Sequence, residues 1–327
     1  MEQFRRYAVC PLNQGNLEVR TSRPVTVPFG GLNARSSGVT WQPAERKLAT
    51  QDQRFLPLGI ADKQPLVFLP GLFETCAIWD DICASFPDRT TISVDLPGHS
   101  IGATAQEVAD SLADGSWMEA TRNTIDAEIG GDTFHLIGHS SGGLLGLMLA
   151  VQMPERLESL ILVGTPISGH RDIDRDLGAL LLQNQHLGSF GLRLAWRVWL
   201  MSRSSFEAGL RSVMSREAAA RVPDRMRETL RSCEPESFRQ FALWLLDQDI
   251  TPLLNRIDTP TLALIGARDN VVPPEHQLKA VLGTKTAQAQ VLRDNHVPFL
   301  EDPDRFVTTL TRWFDHGLPA QRAVVAA

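Results

Sequence analysis

The sequence lacks any apolar run near the roughly 18 residues that a membrane-spanning helix needs; its longest candidate, Leu144 to Met153, falls far short. Cysteine is scarce. The four thiols, Cys10, Cys76, Cys83 and Cys233, show neither C-x-x-C nor Cys/His ligand spacing. That suggests neither a disulfide scaffold nor a zinc site, so they read as ordinary buried thiols. Positive charge is not in excess. A formal net charge of −6 offers no basic footprint for nucleic acid, which is therefore not expected as a partner. Met1 to Arg6 are polar and charged with no apolar segment behind them, which argues against a secretory signal and leaves a cytoplasmic location as the expectation.

The chain has 327 residues, 43% hydrophobic and 21% charged, enough for one α/β core carrying an insertion. Residues 1–60 are rich in Arg, Ser, Thr, Gly and Pro and show no sustained pattern. An edge hairpin, a dimerisation arm that would make a homodimer, and a tail all stay open for them. From Pro65 the character changes. Short apolar runs at Leu66–Leu69, Thr91–Asp95, Phe134–Gly138, Leu160–Gly164, Leu262–Gly266 and Ala289–Leu292 alternate with longer helix-like stretches, the rhythm of a mostly parallel sheet flanked by helices. The interval 167–250 is dominated by helical patterns and reads as an inserted cap. Residues 61–166 and 251–327 then form the core.

The strongest local signal is the apolar strand Phe134–Gly138 followed by His139-Ser140-Ser141-Gly142-Gly143 and an apolar helix. A G-x-S-x-G in that setting makes a sharp strand-to-helix turn, with small residues where the two elements meet and the serine pushed outward. A serine hydroxyl is a weak nucleophile until a base takes its proton. Asp269 and His296 each follow a strand run, so both fall at the carboxyl edge of the sheet where Ser140 should lie. Ser140 as nucleophile, His296 as base and Asp269 as the acid that orients it follow in the order Ser, Asp, His. Acyl transfer also needs N–H donors for an oxyanion. Ser141, after the nucleophile, and Leu72, in Pro70-Gly71-Leu72-Phe73-Glu74, are the candidates.

Four separated motifs, Leu69-Pro70-Gly71-Leu72, Asp95-Leu96-Pro97-Gly98-His99-Ser100, Gly138 to Gly143 and Asn295-His296, together resemble those of the α/β-hydrolase family over roughly residues 65–314. Three positions depart from the family pattern. Pro70 stands where many members have His, Ser100 where many have Gly, and Asn295 replaces the Gly before the histidine; the first alters how the oxyanion loop is braced. The resemblance implies a serine esterase or thioesterase acting through an acyl-enzyme on a small acyl substrate, with no cofactor and no metal. A biosynthetic acyltransferase using the same residues, and a non-catalytic binding protein on this fold, are the alternatives. Phe73, His139, Trp196, Trp199 and Trp244 are candidate substrate contacts. The bland reading makes the tryptophans core of the cap and His139 a packing or hydrogen-bonding residue. Arg193, Arg197, Arg203 and Arg211 are balanced by nearby acids and read as a solvated face.

Overall fold

The computed structural model describes residues 63–169 and 185–316, with backbone only for 185–189 and 316. The readings for residues 1–60 and for Cys10 lie outside the described residues. Six strands, β1 (Leu66–Leu69), β2 (Thr91–Ser93), β3 (Phe134–His139), β4 (Leu157–Val163), β5 (Thr261–Gly266) and β6 (Ala287–Leu292), form one sheet in the order β2-β1-β3-β4-β5-β6. Every pairing is parallel. All six apolar runs are strands of this sheet, with ends displaced by up to three residues; β4 begins at Leu157, ahead of the run that marks it.

A parallel sheet needs cover on both faces, and strand alternation divides its side chains accordingly. Leu66, Phe68, Ile137, Ile161 and Leu264 pack on one face with Trp79, Phe299, Phe306 and Trp313. Val67, Leu69, Leu136, Leu160 and Ile265 pack on the other with Ile125, Leu144 and Leu147. The helices that supply this cover are α1 (Asp80–Ala84), α2 (Ala105–Asp114), α3 (Ser116–Ile129) and α4 (Ser141–Gln152), followed after the insertion by α10 (Pro274–Gly283), α11 (Pro298–Glu301) and α12 (Pro303–His316). At the start of α2, Thr104 and Glu107 form a reciprocal capping box, which satisfies two otherwise orphaned N–H groups.

Between β4 and β5 the chain forms α5 (Gln185–Trp199), α6 (Arg203–Leu210), α7 (Arg216–Arg221), α8 (Asp224–Ser232) and α9 (Pro235–Leu246). Its two ends are zipped together. Ser168 and Asp249 form an antiparallel bridge, with Gly169 N–H donating to the Gln248 carbonyl (2.8 Å) and Ile250 N–H to that of Ile167 (3.0 Å). The insertion therefore leaves and re-enters the core at one place. Phe206, Met226, Leu230 and Phe238 of these helices are fully buried and join the apolar cluster on one face of the sheet. Cys76, Cys83 and Cys233 are buried. Among the described residues no helix is long and apolar enough to cross a membrane, and no cluster of three or more His, Cys, Asp or Glu is arranged to hold a metal ion.

Candidate active site

Ser140 sits between β3 and α4 at φ 52°, ψ −120°, a backbone region that costs a side-chain-bearing residue energy and persists only where its surroundings impose it. The glycines around it explain how. A Cβ on Gly138 would lie 2.6 Å from the Gly142 carbonyl oxygen and from Gly143 Cα, and one on Gly142 would lie 2.3 Å from the Pro70 carbonyl. Strand, turn and helix therefore approach at backbone contact. The Ser140 N–H donates to the Val163 carbonyl (2.8 Å), tying the turn to the end of β4. The serine is half-buried.

His296 follows β6 and Asp269 follows β5. The His296 Nδ1 donates to Asp269 Oδ2 at 2.8 Å, and both residues are 5% exposed. Because a carboxylate only accepts, this bond places the proton on Nδ1 and leaves a lone pair on Nε2. Asp269 is itself held. Its Oδ1 accepts from the N–H groups of Val271 (2.9 Å) and Val272 (2.8 Å), and its Oδ2 from Gln277 Nε2 (2.8 Å). Burial lowers the His296 pKa below the ordinary 6.5; the bond from Asp269 opposes that and the neighbouring His139 adds to it. Gly164, at φ 56°, is the turn that lies against this ring, since a Cβ there would be 3.0 Å from His296 Nδ1. Ser140 through Val163 and His296 through Gly164 thus meet at the carboxyl end of β4.

The loop after β1 completes the surroundings. Its Leu69 and Pro70 carbonyls press on Gly142, which brings Leu72 and the first turn of α4 to the same edge. Phe73 has φ 64°, and its ring meets Trp196 (6.1 Å, edge-on) and Phe238 (6.1 Å, stacked). Trp199 packs on Trp196 and Phe206 and donates to the Phe206 carbonyl (3.1 Å). Trp244 packs on Trp117 and Phe241, and is not in ring contact with Phe73, Trp196 or Trp199. His139 is 1% exposed and hydrogen-bonded at both ring nitrogens.

Sequence reasoning did not single out Gln277 or Glu74. Glu74 Oε2 accepts from Gly71 N–H (2.5 Å) and meets His139 Nδ1 (2.9 Å). Pro70 in place of histidine was the only signal that this loop would be braced from an unusual quarter.

A six-stranded parallel sheet, a strained serine at a strand-to-helix turn and a buried His–Asp pair at the same sheet edge define an α/β hydrolase architecture. The family comparison agrees: residues 66–309 match the alpha/beta hydrolase family profile, and the chain belongs to that family. It is similar to the 3-oxoadipate enol-lactonase 2 of Acinetobacter baylyi, 26% identical over 260 residues that cover 77% of this chain and 89% of the relative. It is also similar to the pimeloyl-[acyl-carrier protein] methyl ester esterase of Nitrosomonas europaea, 29% identical over 249 residues covering 74% and 92%. Among solved structures the enol-lactonase of Burkholderia xenovorans superposes with a TM-score of 0.58 at 17% identity, covering 77% of this chain and 92% of that one, a likeness of fold.

Proposed function

We propose that the protein is a serine hydrolase that cleaves carboxylic esters through Ser140, His296 and Asp269. The observation that carries this reading is the buried hydrogen bond between His296 Nδ1 and Asp269. It leaves Nε2 as a base at the sheet edge where the elbow presents Ser140. In the reaction Ser140 Oγ attacks the acyl carbon while His296 Nε2 takes its proton, and Asp269 steadies the imidazolium that forms. The N–H groups of Ser141 and Leu72 receive the oxyanion. Collapse expels the alcohol, protonated by His296, and leaves an acyl-enzyme that water resolves by the same steps reversed.

The relatives favour an acyl–oxygen bond over a thioester, since one is named for an enol-lactone and the other for a methyl ester. The helices between β4 and β5 act as the cap. Phe73, Trp196 and Phe238 pack on one another beside the oxyanion loop, and Phe73, the one of the three that is only half-buried, is the apolar contact offered to an acyl group.

A fluorophosphonate probe followed by intact-mass measurement tests the reading. The expected result is a single adduct on the parent and none on Ser140→Ala. A folded parent that takes up no probe sinks it and leaves a binding protein on a hydrolase fold.

A further inference from the structure

One buried group beside the site is not used by that chemistry. His139 lies directly before the nucleophile, enclosed by the edges of Trp79 (6.5 Å between centroids) and Phe299 (5.1 Å). Its Nε2 is 3.1 Å from the backbone carbonyl oxygen of His296. A carbonyl accepts and never donates, so Nε2 carries a proton. Its Nδ1 is 2.9 Å from Glu74 Oε2, and that same oxygen accepts the Gly71 N–H. The arrangement suits an imidazolium between two acceptors and a carboxylate between two donors, each charge offsetting the other in a place too dry for either alone. Burial works against a charge on His139, but the charge and hydrogen bond of Glu74, together with the His296 carbonyl and the charge of Asp269, outweigh it and hold the imidazole above its ordinary pKa.

The pair touches three pieces of the site. It belongs to the elbow through His139, to the base's loop through the His296 carbonyl, and to the oxyanion loop through Gly71. Gly71 leaves no room for variation, because a Cβ there would lie 2.9 Å from both Glu74 Oε2 and His139 Nδ1. Pro70 can supply no N–H of its own, so the carboxylate takes over the bracing of that turn.

We propose that Glu74 and His139 are a positioning ion pair that locks the oxyanion loop and the His296 loop onto the nucleophile elbow, a role that rests on the serine-hydrolase reading. The titratable groups that face His139 are Glu74, His296, whose ring centroid is 4.7 Å away, and Asp269 beyond it.

The test pairs ring-nitrogen NMR of the full chain, labelled with 15N-histidine, with the kinetics of Ser140 phosphorylation by diethyl 4-nitrophenyl phosphate. In that reaction an Oγ–P bond forms, nitrophenolate leaves and His296 takes the serine proton. In the parent, the His139 ring, assigned by its loss in His139→Asn, is expected to show two slowly exchanging N–H protons, and His296 one. In Glu74→Ala the His296 Nδ1 proton is expected to exchange about tenfold faster, and limiting phosphorylation to slow about 10²-fold with little change in half-saturation. Glu74→Gln, whose amide can face a neutral imidazole and still accept from Gly71, should recover about tenfold of that loss while His139 drops to one ring N–H. A single ring N–H on His139 in the parent overturns the ion pair. So does a folded Glu74→Ala protein with unchanged His296 exchange and unchanged phosphorylation. If Glu74→Ala does not fold, Glu74→Gln decides: two ring N–H protons remaining on His139 overturn the pairing. A parent inert to the phosphate fails the serine reading alone, and the NMR arm still decides the pairing.

Discussion

Asp269 accepts hydrogen bonds from Val271 N–H, Val272 N–H, Gln277 Nε2 and His296 Nδ1, and their directions leave it no freedom. Gln277 is fixed as a donor there because its Nε2 also bonds the Val272 carbonyl (2.7 Å). In Asp269→Asn the less costly orientation keeps the oxygen on the Val271 and Val272 amides, two backbone donors that cannot turn away, and sets the NH2 toward His296 and against the Gln277 donor, whose bond is lost. The imidazole then meets a donor at Nδ1 and must move its proton to Nε2, where a general base needs a lone pair. Turnover of a 4-nitrophenyl ester by Asp269→Asn is expected to fall about 10⁴-fold with the fold intact. A loss under about tenfold would remove Asp269 from the role given to it. In the parent, lowering of the His296 pKa by burial keeps the base neutral further into acid, so the acid limb of kcat/KM is expected below pH 6.5.

At the scale of the element, the elbow depends on backbone closeness more than on side chains. Gly138→Ala places a methyl group 2.6 Å from the Gly142 carbonyl and Gly143 Cα, and neither can retreat without opening the turn. A loss of about 1–3 kcal/mol or more is expected, read as a lower urea midpoint together with slower fluorophosphonate labelling. An unchanged midpoint would mean the turn is looser than this packing implies. This turn was legible in the sequence because its requirements are local: a strand, two glycines flanking a serine, and a helix. Strands β1 to β5 were legible for the same reason, being short apolar runs largely buried on both faces, whereas β6, only partly buried at the sheet edge, was half hidden because Gln288 and Gln290 interrupt it. Asp269 and His296 could be nominated from their places after β5 and β6, and their hydrogen bond appears only in three dimensions. What holds them was not legible. Glu74 looks like any loop acid, and its partner lies 65 positions away; Gln277 lies on α10 and gains its meaning from a carboxylate on the loop before it. Such pairings arise from packing between distant segments and leave no periodic trace.

Across the whole molecule, stability in acid depends on histidines that the fold buries neutral. His135, at the start of β3, bonds Ser159 Oγ through Nδ1 (2.8 Å) and lies against Phe314. Burial, helped by nearby Arg89, lowers its pKa from 6.5 to about 4. His99, packed on Phe238 and Phe241, is lowered by burial to about 4 as well. For a group whose folded pKa is depressed, the unfolded chain binds the proton first, so the stabilisation is present above pH 6.5 and is lost as pH falls toward about 4. Asp95 works in the opposite sense. Burial raises it to about 7, so its contribution is present below about 3.8 and is lost as pH rises through about 7. Between about pH 4 and 6.5 the two histidines, joined by the lowered His296, outweigh Asp95 and the smaller upward shifts of Asp80 and Asp294, and urea stability is expected to rise with pH. In His135→Gln one of these histidine contributions is gone. Its stability should depend on pH less steeply than the parent's, by up to about 3 kcal/mol across that window, whatever constant cost the lost Ser159 bond adds. Parallel curves for the two proteins would show that His135 takes up its proton in the folded state as readily as in the unfolded one. The start of β3 would then admit water that this packing excludes.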